Sequence, residues 1–172
     1  MFSSSDATSL TFSGNRNLSV ILSESLDASV YEFSFRFQTL SPSATLLLIG
    51  SGSSSDFIHV YISNGLLGAS FNLGAGVIDS LSGVFVSQGL WHTVQGRLSN
   101  RTLSISVDGL PAISITSLGP QFILNAVGTI DVGSTGDQNY LTGTIQGLVL
   151  NGQPIFEAIG ASDEIVVRLE IT

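Results

Sequence analysis

Residues 91–98 and 102–107 alternate between polar and apolar side chains, and this pattern constrains the fold more than any other part of the chain. A period of two is typical of β-strands that bury one face, because successive side chains of a strand point to opposite sides. Three polar residues, 99–101, separate the two segments, and an Asp-Gly pair at 108–109 ends the second. We therefore predict a β-hairpin. The apolar positions that would face the core are Val94, Leu98, Leu103, Ile105 and Val107.

The same signals recur outside this hairpin. Phe33, Phe35 and Phe37 alternate with polar residues, which again indicates a strand with one buried face. Asn-Gly pairs at 64–65 and 151–152 are typical of two-residue hairpin turns. Two antiparallel sheets packed face to face bury such patterns, so we predict an all-β fold, a two-sheet jelly-roll-like sandwich.

The whole chain, residues 1–172, is predicted to form one β domain. Its hydrophobic share of 43 % is enough for one buried core, and only residues 158–164 show a helical pattern, about one turn long. No apolar run reaches the roughly 18 to 20 residues that cross a bilayer. The predicted strands cover residues 9–13, 17–22, 29–38, 44–50, 56–63, 66–72, 76–79, 84–86, 91–98, 102–107, 111–116, 128–133, 141–150 and 165–171.

The chain is acidic, with a net charge of −8, and it contains no lysine and no cysteine. This charge would repel nucleic acids and heparin, and five arginines dispersed in sequence do not predict a basic patch. Without cysteine the chain forms neither a disulfide nor a thiolate metal site, which leaves its compartment open. Two histidines far apart, no lysine and no Gly-x-Ser-x-Gly motif argue against an enzyme.

Three motifs, in this order, resemble the laminin G-like family, also called LNS domains. They are the segment Trp91-His92-Thr93-Val94, the segment from Leu103 to Gly109, which ends in Val-Asp-Gly, and the segment from Leu141 to Gly152, which ends in Leu-Asn-Gly. Residues 71–74, Phe-Asn-Leu-Gly, are most similar to the neurexin branch. The resemblance implies a concanavalin A-like sandwich. It also implies an extracellular recognition module of a cell-surface or matrix protein, not an enzyme.

The neurexin-type resemblance implies a calcium site at one end of the sandwich. The side chains of Asp56 and Asn125 and the backbone carbonyls of Leu73 and Ile123 correspond to the family's ligands. Calcium prefers six to eight oxygen ligands and accepts water for those that the protein lacks. Because the set contains one carboxylate, we expect affinity in the high micromolar to millimolar range. The alternative is that Asp56 and Asn125 only cap turns.

The resemblance also implies a protein partner, an extracellular adhesion or receptor protein bound by the loops at the calcium end. Calcium would order these loops and offer a positive centre on a negative surface, and partner oxygens could complete its shell. Met1–Asp6 lacks the pattern of a signal peptide, so we expect a piece of a larger protein, which could be membrane-anchored. The loops predicted at the calcium end are 50–56, 73–83, 121–127 and 134–140.

Three alternatives stay open for the ligand. A carbohydrate could bind where Tyr140 lies near Asp137 and Asn139, since an exposed aromatic beside such side chains suits a sugar. An apolar ligand could lie between the sheets, as in the hormone-binding relatives. The domain could also be a spacer without a ligand of its own.

Other polar residues have simpler interpretations. Asp131 and Asp137 are secondary acidic candidates around the late loop, but both of them, and Asp79, are predicted to be solvated turn residues. His92 is expected to be packed or hydrogen-bonded, and His59 to face solvent or a partner. The sequons at Asn17 and Asn100 would agree with secretion if they carry glycans.

Overall fold

The computed structural model describes residues 8–22, 26–50, 56–135, 139–158 and 165–171. Nearly all of these residues form strands, as the alternation predicts. The strands are β1 (Ser9–Ser13), β2 (Arg16–Leu22), β3 (Leu26–Ala28), β4 (Val30–Thr39), β5 (Ala44–Ile49), β6 (Phe57–Ser63), β7 (Leu66–Asn72), β8 (Ile78–Phe85), β9 (His92–Ser99), β10 (Thr102–Val107), β11 (Leu110–Thr116), β12 (Leu124–Ala126), β13 (Thr129–Val132), β14 (Thr142–Leu150), β15 (Gln153–Pro154) and β16 (Ile165–Ile171), with one helical turn, α1 (Ile155–Ala158).

Two antiparallel sheets form the sandwich. The first has the strand order β1-β14-β4-β9-β10-β11, with β15 paired to β14, and the second has the order β16-β2-β13-β5-β6-β7-β8. A short ribbon of β3 and β12 lies outside both sheets. Neighbours in a sheet are often distant in sequence, as β14 is from β4, which is typical of a jelly roll. The predicted all-β sandwich is confirmed.

The hairpin turns have the geometry that their sequences predict. In a type I′ turn both central residues have positive φ, which Asn, Asp and Gly tolerate best. Asn64-Gly65 has φ of 50° and 82°, and Asn151-Gly152 has φ of 49° and 82°. Asp108-Gly109 joins β10 to β11 in the same way, with φ of 53° and 82°. The predicted hairpin of β9 and β10 turns at Asn100 and Arg101, where φ is 48° and 69°.

The core lies between the two sheets and is built from alternating positions. In β4 the inward residues Tyr31, Phe33, Phe35 and Phe37 are at most 3 % exposed, while the residues between them are partly or fully exposed. Strand β5 lies inside the second sheet, between β13 and β6, and is buried almost continuously. The residues of the core that are fully buried and large include Phe37, Phe71, Leu46, Leu47, Ile49, Ile58, Leu67, Leu73, Leu98, Leu103, Ile105 and Leu124.

Several predicted elements differ from the structure. The sequence predicts two strands, 76–79 and 84–86, but 78–85 is one strand, β8. It pairs with β7 through a register shift between Leu66 and Gly68. Such a shift interrupts the period-two pattern. The helical turn is at Ile155–Ala158, and most of the predicted turn, 159–164, lies outside the described residues. Strands β3, β12 and β15 have two or three residues each, too few to show a period.

The prediction that Asp131 is a solvated turn residue is wrong. Asp131 lies in the middle of β13 and is 8 % exposed. Its carboxylate accepts hydrogen bonds from the hydroxyl of Ser19 and, at 2.9 Å, from that of Thr129. The side-chain amide of Asn17 donates to the Ser19 hydroxyl at 3.1 Å. A buried carboxylate is tolerated only with such partners, so this network ties β2 to β13.

Asp79 is also a strand residue, not a turn residue. It lies on β8, and its carboxylate accepts a hydrogen bond from the phenol of Tyr61 on the same sheet. Burial, together with this carboxylate, raises the pKa of Tyr61 above its usual range. Asp137 lies outside the described residues. Among the described helices, none is long and apolar enough to cross a membrane.

Candidate cation site at the rim of the sandwich

A cavity of about 930 Å³ opens at the end of the sandwich where β7 ends and β6 begins. We call the residues that line it the rim. They come from the ribbon β3–β12 and the residue after it, from the residue before β6, from the loop after β7 and from the segment between β11 and β12. The rim consists of Asp27, Asp56, Leu73, Pro120, Gln121, Phe122, Ile123, Asn125 and Val127.

The ribbon fixes the direction of Asn125. Leu124 and Ala126 are 0 % exposed and anchor β12 in the core, so the strand alternation turns Asn125 between them outward. Asp27 on β3 is the cross-strand partner of Asn125. Side chains of such partners share one face of the ribbon, about 4.5–5.5 Å apart at Cβ. Asp27 and Asn125 therefore face the rim cavity side by side.

Asp56 joins this pair through its carboxylate. Its Oδ2 accepts a hydrogen bond from the backbone N–H of Asn125 at 2.8 Å. Asp56 also lines the cavity, directly before β6. The bond connects two residues that are 69 positions apart in sequence and holds the Asp56 carboxylate at the ribbon.

The loop 73–77 contributes Leu73 to the lining of the cavity. Asn72 Oδ1 accepts hydrogen bonds from the backbone N–H groups of Gly74 at 2.8 Å and Gly76 at 3.1 Å. Both glycines have positive φ, 101° and 112°, which lets the chain turn tightly around the Asn72 amide. Leu73, just before this turn, is 2 % exposed and lines the cavity.

All four predicted ligands thus line one cavity, although they come from three separate parts of the chain. The predicted loops at this end are shorter than expected, because β8 begins at Ile78 and β12 occupies 124–126. Residues 51–55 of the predicted loop 50–56 and residues 136–138 of the loop 134–140 lie outside the described residues. The sequence reasoning missed Asp27. Its only signal, an acidic residue before the Phe-rich strand β4, does not specify a position in space.

The chemistry of the rim fits a hard cation. Its lining residues include two with carboxylates, Asp27 and Asp56, and two with amides, Asn125 and Gln121, and their oxygens are of the kind that calcium prefers. None of the described residues that line the cavity is basic, so within this set nothing neutralises Asp27 and Asp56. The described residues contain no cluster of three or more histidine, cysteine, aspartate or glutamate side chains. A cation here would therefore depend on amide and carbonyl oxygens as well as on the carboxylates.

The histidines lie outside the rim. His92 is 7 % exposed, with Nδ1 2.8 Å from Asp108 Oδ2 and Nε2 3.1 Å from Gln88 Oε1, which agrees with its predicted packed role. Burial raises the pKa of the Asp108 carboxyl, but the N–H of Thr93 and the His92 ring outweigh it and lower that pKa below its usual value. His59 is half-buried and bonds to the hydroxyl of Thr45 at 3.0 Å, so the expectation of an outward-facing side chain is only partly met.

The suggested carbohydrate cluster at Tyr140 is only partly described. Tyr140 is half-buried, and the backbone carbonyl of Asn139 accepts a hydrogen bond from the N–H of Thr45 at 3.2 Å. Asp137 lies outside the described residues. A sugar site at this position stays a prediction from the sequence.

Comparison with known proteins identifies the family. The Laminin G domain profile matches residues 37–153. The chain is 31 % identical over 107 residues to the basement membrane-specific heparan sulfate proteoglycan core protein of Mus musculus, a match that covers 57 % of the chain and 3 % of that protein. It is 34 % identical over 101 residues to pikachurin of Rattus norvegicus, covering 57 % of the chain and 10 % of that protein. The chain therefore spans a small part of these relatives.

The fold comparison agrees. Domains LG4-5 of the mouse laminin alpha1 chain superpose with a TM-score of 0.73 at 21 % identity, over 90 % of this chain and 45 % of that one. The predicted laminin G-like resemblance and the extracellular location are confirmed, whereas closeness to the neurexin branch stays a prediction. Laminin G domains are non-enzymatic binding modules of extracellular proteins. The profile match and the sandwich together show that the chain belongs to the Laminin G domain family.

Proposed function

We propose that this laminin G domain recognises an extracellular adhesion or receptor protein through a calcium ion held at the rim. One observation carries the proposal. Asp56, Leu73, Ile123 and Asn125 come from separate parts of the chain and line one cavity, where the Asn125 N–H donates to Asp56 Oδ2 at 2.8 Å.

The rim residues have distinct roles in this proposal. The carboxylate of Asp56, the side-chain oxygen of Asn125 and the carbonyls of Leu73 and Ile123 would hold the ion, and Asp27 adds a second carboxylate beside Asn125. Calcium would supply a positive centre with coordination positions left for oxygen atoms of a partner. A second carboxylate strengthens such a site, because calcium affinity rises with the charge of the ligand set.

The surroundings of the cavity suit a protein partner. Phe122 is 51 % exposed, Ile123 43 % and Val127 42 %, so three large apolar side chains stand beside the carboxylates. Exposed apolar groups rimmed by polar ones are typical of protein–protein contact sites. The partner would place an acidic side chain at the ion and apolar side chains on Phe122 and Val127.

The Asp27→Asn variant tests the second carboxylate. We expect its dissociation constant for calcium to rise about tenfold, because one negative charge is lost while the size of the side chain is kept. Isothermal titration calorimetry measures the constant. Glu157→Gln removes the same charge on α1, outside the rim, and should leave the constant unchanged. Equal affinities for the Asp27 variant and the unaltered chain would remove Asp27 from the site.

Gly50 holds the backbone of Asp56 in place. It has φ of 94°, and a Cβ added there would lie 2.4 Å from the Asp56 carbonyl oxygen. Gly76, also beside the rim, has φ of 112° but open space around its missing Cβ. Alanine at either position lowers the free energy of unfolding by about 1–2 kcal/mol, because a residue with a Cβ is strained at positive φ. Only Gly50→Ala also displaces Asp56. We expect calcium affinity to fall clearly more in Gly50→Ala than in Gly76→Ala, by calorimetry. Equal losses would contradict this role of Gly50.

Partner binding itself can be tested with a panel of extracellular adhesion and receptor ectodomains. We expect the chain to bind at least one of them in millimolar calcium and to lose that binding when a chelator is added. The Phe122→Ser variant should keep calcium and lose the partner, since Phe122 offers apolar area and no ligand oxygen from its side chain. Binding that persists in chelator would contradict the calcium-dependent mechanism.

A second candidate function, glycan binding, is favoured by a different surface. On the outer face of the first sheet, Ser34, Gln95 and Ser106 form one row of cross-strand partners. They line a shallow cavity of about 740 Å³ together with the ion pair of Glu32 and Arg97. Hydroxyls, an amide and a paired charge can donate to and accept from the hydroxyls of a neutral sugar. A glycan array decides this: a hit that disappears in Gln95→Ala supports it, and no hit removes it. The apolar-ligand and spacer alternatives stay predictions from the sequence.

A further inference from the structure

The two Asn-x-Ser/Thr sequons of the chain, which begin at Asn17 and Asn100, lie in opposite environments. We propose that Asn100 carries an N-linked glycan and that Asn17 does not. The sequence cannot separate the two, because both have the required hydroxyl residue two positions later. Their surroundings in the fold separate them.

Burial prevents Asn17 from carrying a glycan. It is 1 % exposed and lies on β2, which is flanked by β13 and β16. Its side-chain nitrogen donates to Ser19, the hydroxyl residue of the same sequon, and Ser19 in turn donates to the buried Asp131. A sugar on that nitrogen would have to displace this network and the neighbouring strands. A chain glycosylated at Asn17 could not adopt this fold.

Asn100 is open to modification. It is exposed at the tip of the β9–β10 hairpin, in the positive-φ position of a two-residue turn. Thr102, the hydroxyl residue of this sequon, begins β10, and its Oγ1 lies 2.8 Å from Thr116 Oγ1 at an exposed position. A glycan attached to the Asn100 side chain projects from the hairpin into solvent and disturbs no buried contact.

The hairpin tip lies at the same end of the sandwich as the rim. Ser99, next to Asn100, pairs with Val30, which is separated from the Asp27 strand β3 by Ser29 alone. The guanidinium of Arg101 donates to the carbonyl of Gly119 at 2.7 Å, one residue before the rim begins at Pro120. The glycan therefore stands beside the rim and limits the directions from which a large partner can approach. This consequence rests on the proposed function, whereas the modification does not.

The modification is a group transfer from a lipid-pyrophosphate-linked oligosaccharide, the donor class of the secretory pathway. The Asn100 side-chain nitrogen forms a bond to C1 of the first sugar, and the bond from C1 to the pyrophosphate oxygen breaks. The electron pair leaves with the lipid pyrophosphate, and one amide proton passes to a base of the transferase. No redox change is involved.

The test is secretion of the chain from mammalian cells, followed by peptide N-glycosidase treatment and peptide mass spectrometry. The enzyme converts a glycosylated Asn to Asp, so we expect this conversion at position 100 and not at position 17. The mass of the whole chain should fall by that of one glycan. Asn100→Gly should abolish the glycan and keep the turn, since glycine accepts positive φ, while Thr102→Ser should keep both.

Two results would overturn the inference: no mass loss, or conversion at position 17. Calcium affinity, measured before and after enzymatic removal of the glycan, should not change, because Asn100 does not line the cavity. An unglycosylated chain that binds calcium would thus refute only the glycan, and a glycosylated chain that does not bind calcium would refute only the proposed function.

Discussion

Replacement of Phe37 by alanine is expected to lower the free energy of unfolding by about 3–5 kcal/mol, the usual cost of removing a large aromatic side chain from a core. Phe37 is 0 % exposed on the inner face of β4. Its ring centroid lies 6.1 Å from that of Phe35 and 5.8 Å from that of His92, so the cavity left behind would be lined by residues of the first sheet that cannot easily move. Urea unfolding followed by the fluorescence of Trp91 measures the loss.

The control for this variant is Leu118→Ala, which removes an apolar side chain that is 79 % exposed. A substitution there should change the free energy of unfolding by less than about 0.5 kcal/mol. If Phe37→Ala lowered the free energy of unfolding no more than Leu118→Ala does, the two sheets would not pack through β4 as described.

The second large effect is expected at Asp56. Asp56→Ala removes a carboxylate from the rim together with the acceptor of the Asn125 N–H, so the backbone of β12 loses its link to β6. We expect no saturable calcium response up to several millimolar, because both the ligand charge and the position of Asn125 are lost. Calorimetry measures the response, and thermal unfolding shows whether the fold is intact.

The matched control is Asp79→Asn, which removes the same charge from β8, where the carboxylate bonds to Tyr61 and does not line the rim. Its calcium response should equal that of the unaltered chain. A similar loss in both variants would mean that net charge, and not a defined site, attracts the cation.

The parts of the fold that the sequence predicts are those with a period or a turn signature. The alternating aromatic residues predict strand β4, and the Asn-Gly pair predicts the hairpin turn at Asn151. Both signals can be read locally, because strand alternation and turn geometry depend on residues close together in the chain. The ribbon β3–β12 could not be predicted, since three residues show no period and their pairing joins positions almost 100 apart, as Asp27 is from Asn125. Asp27 was missed for that reason.

Buried polar residues were the other source of error. The predicted strand 128–133 contains Asp131, but a lone aspartate between Ile130 and Val132 suggests exposure to solvent, since an unpaired buried carboxylate is costly. Its cross-strand partner Ser19 is provided by the pairing of β2 with β13, which the sequence does not reveal. Its second partner, Thr129, lies two residues earlier on the same strand. The candidate calcium ligands could be named only through the family resemblance, because spacing alone does not bring Asp56 to Asn125.

The most direct test of the central claim is a calcium titration of the unaltered chain by calorimetry, with magnesium as the comparison ion. We expect a saturable response to calcium in the micromolar to millimolar range and a weaker one to magnesium, which keeps its waters and demands a regular octahedron. The response should be absent in the Asp56→Ala, Asn125→Ala double variant. No heat and no thermal shift in several millimolar calcium, from a chain that is folded, would contradict the proposed rim site.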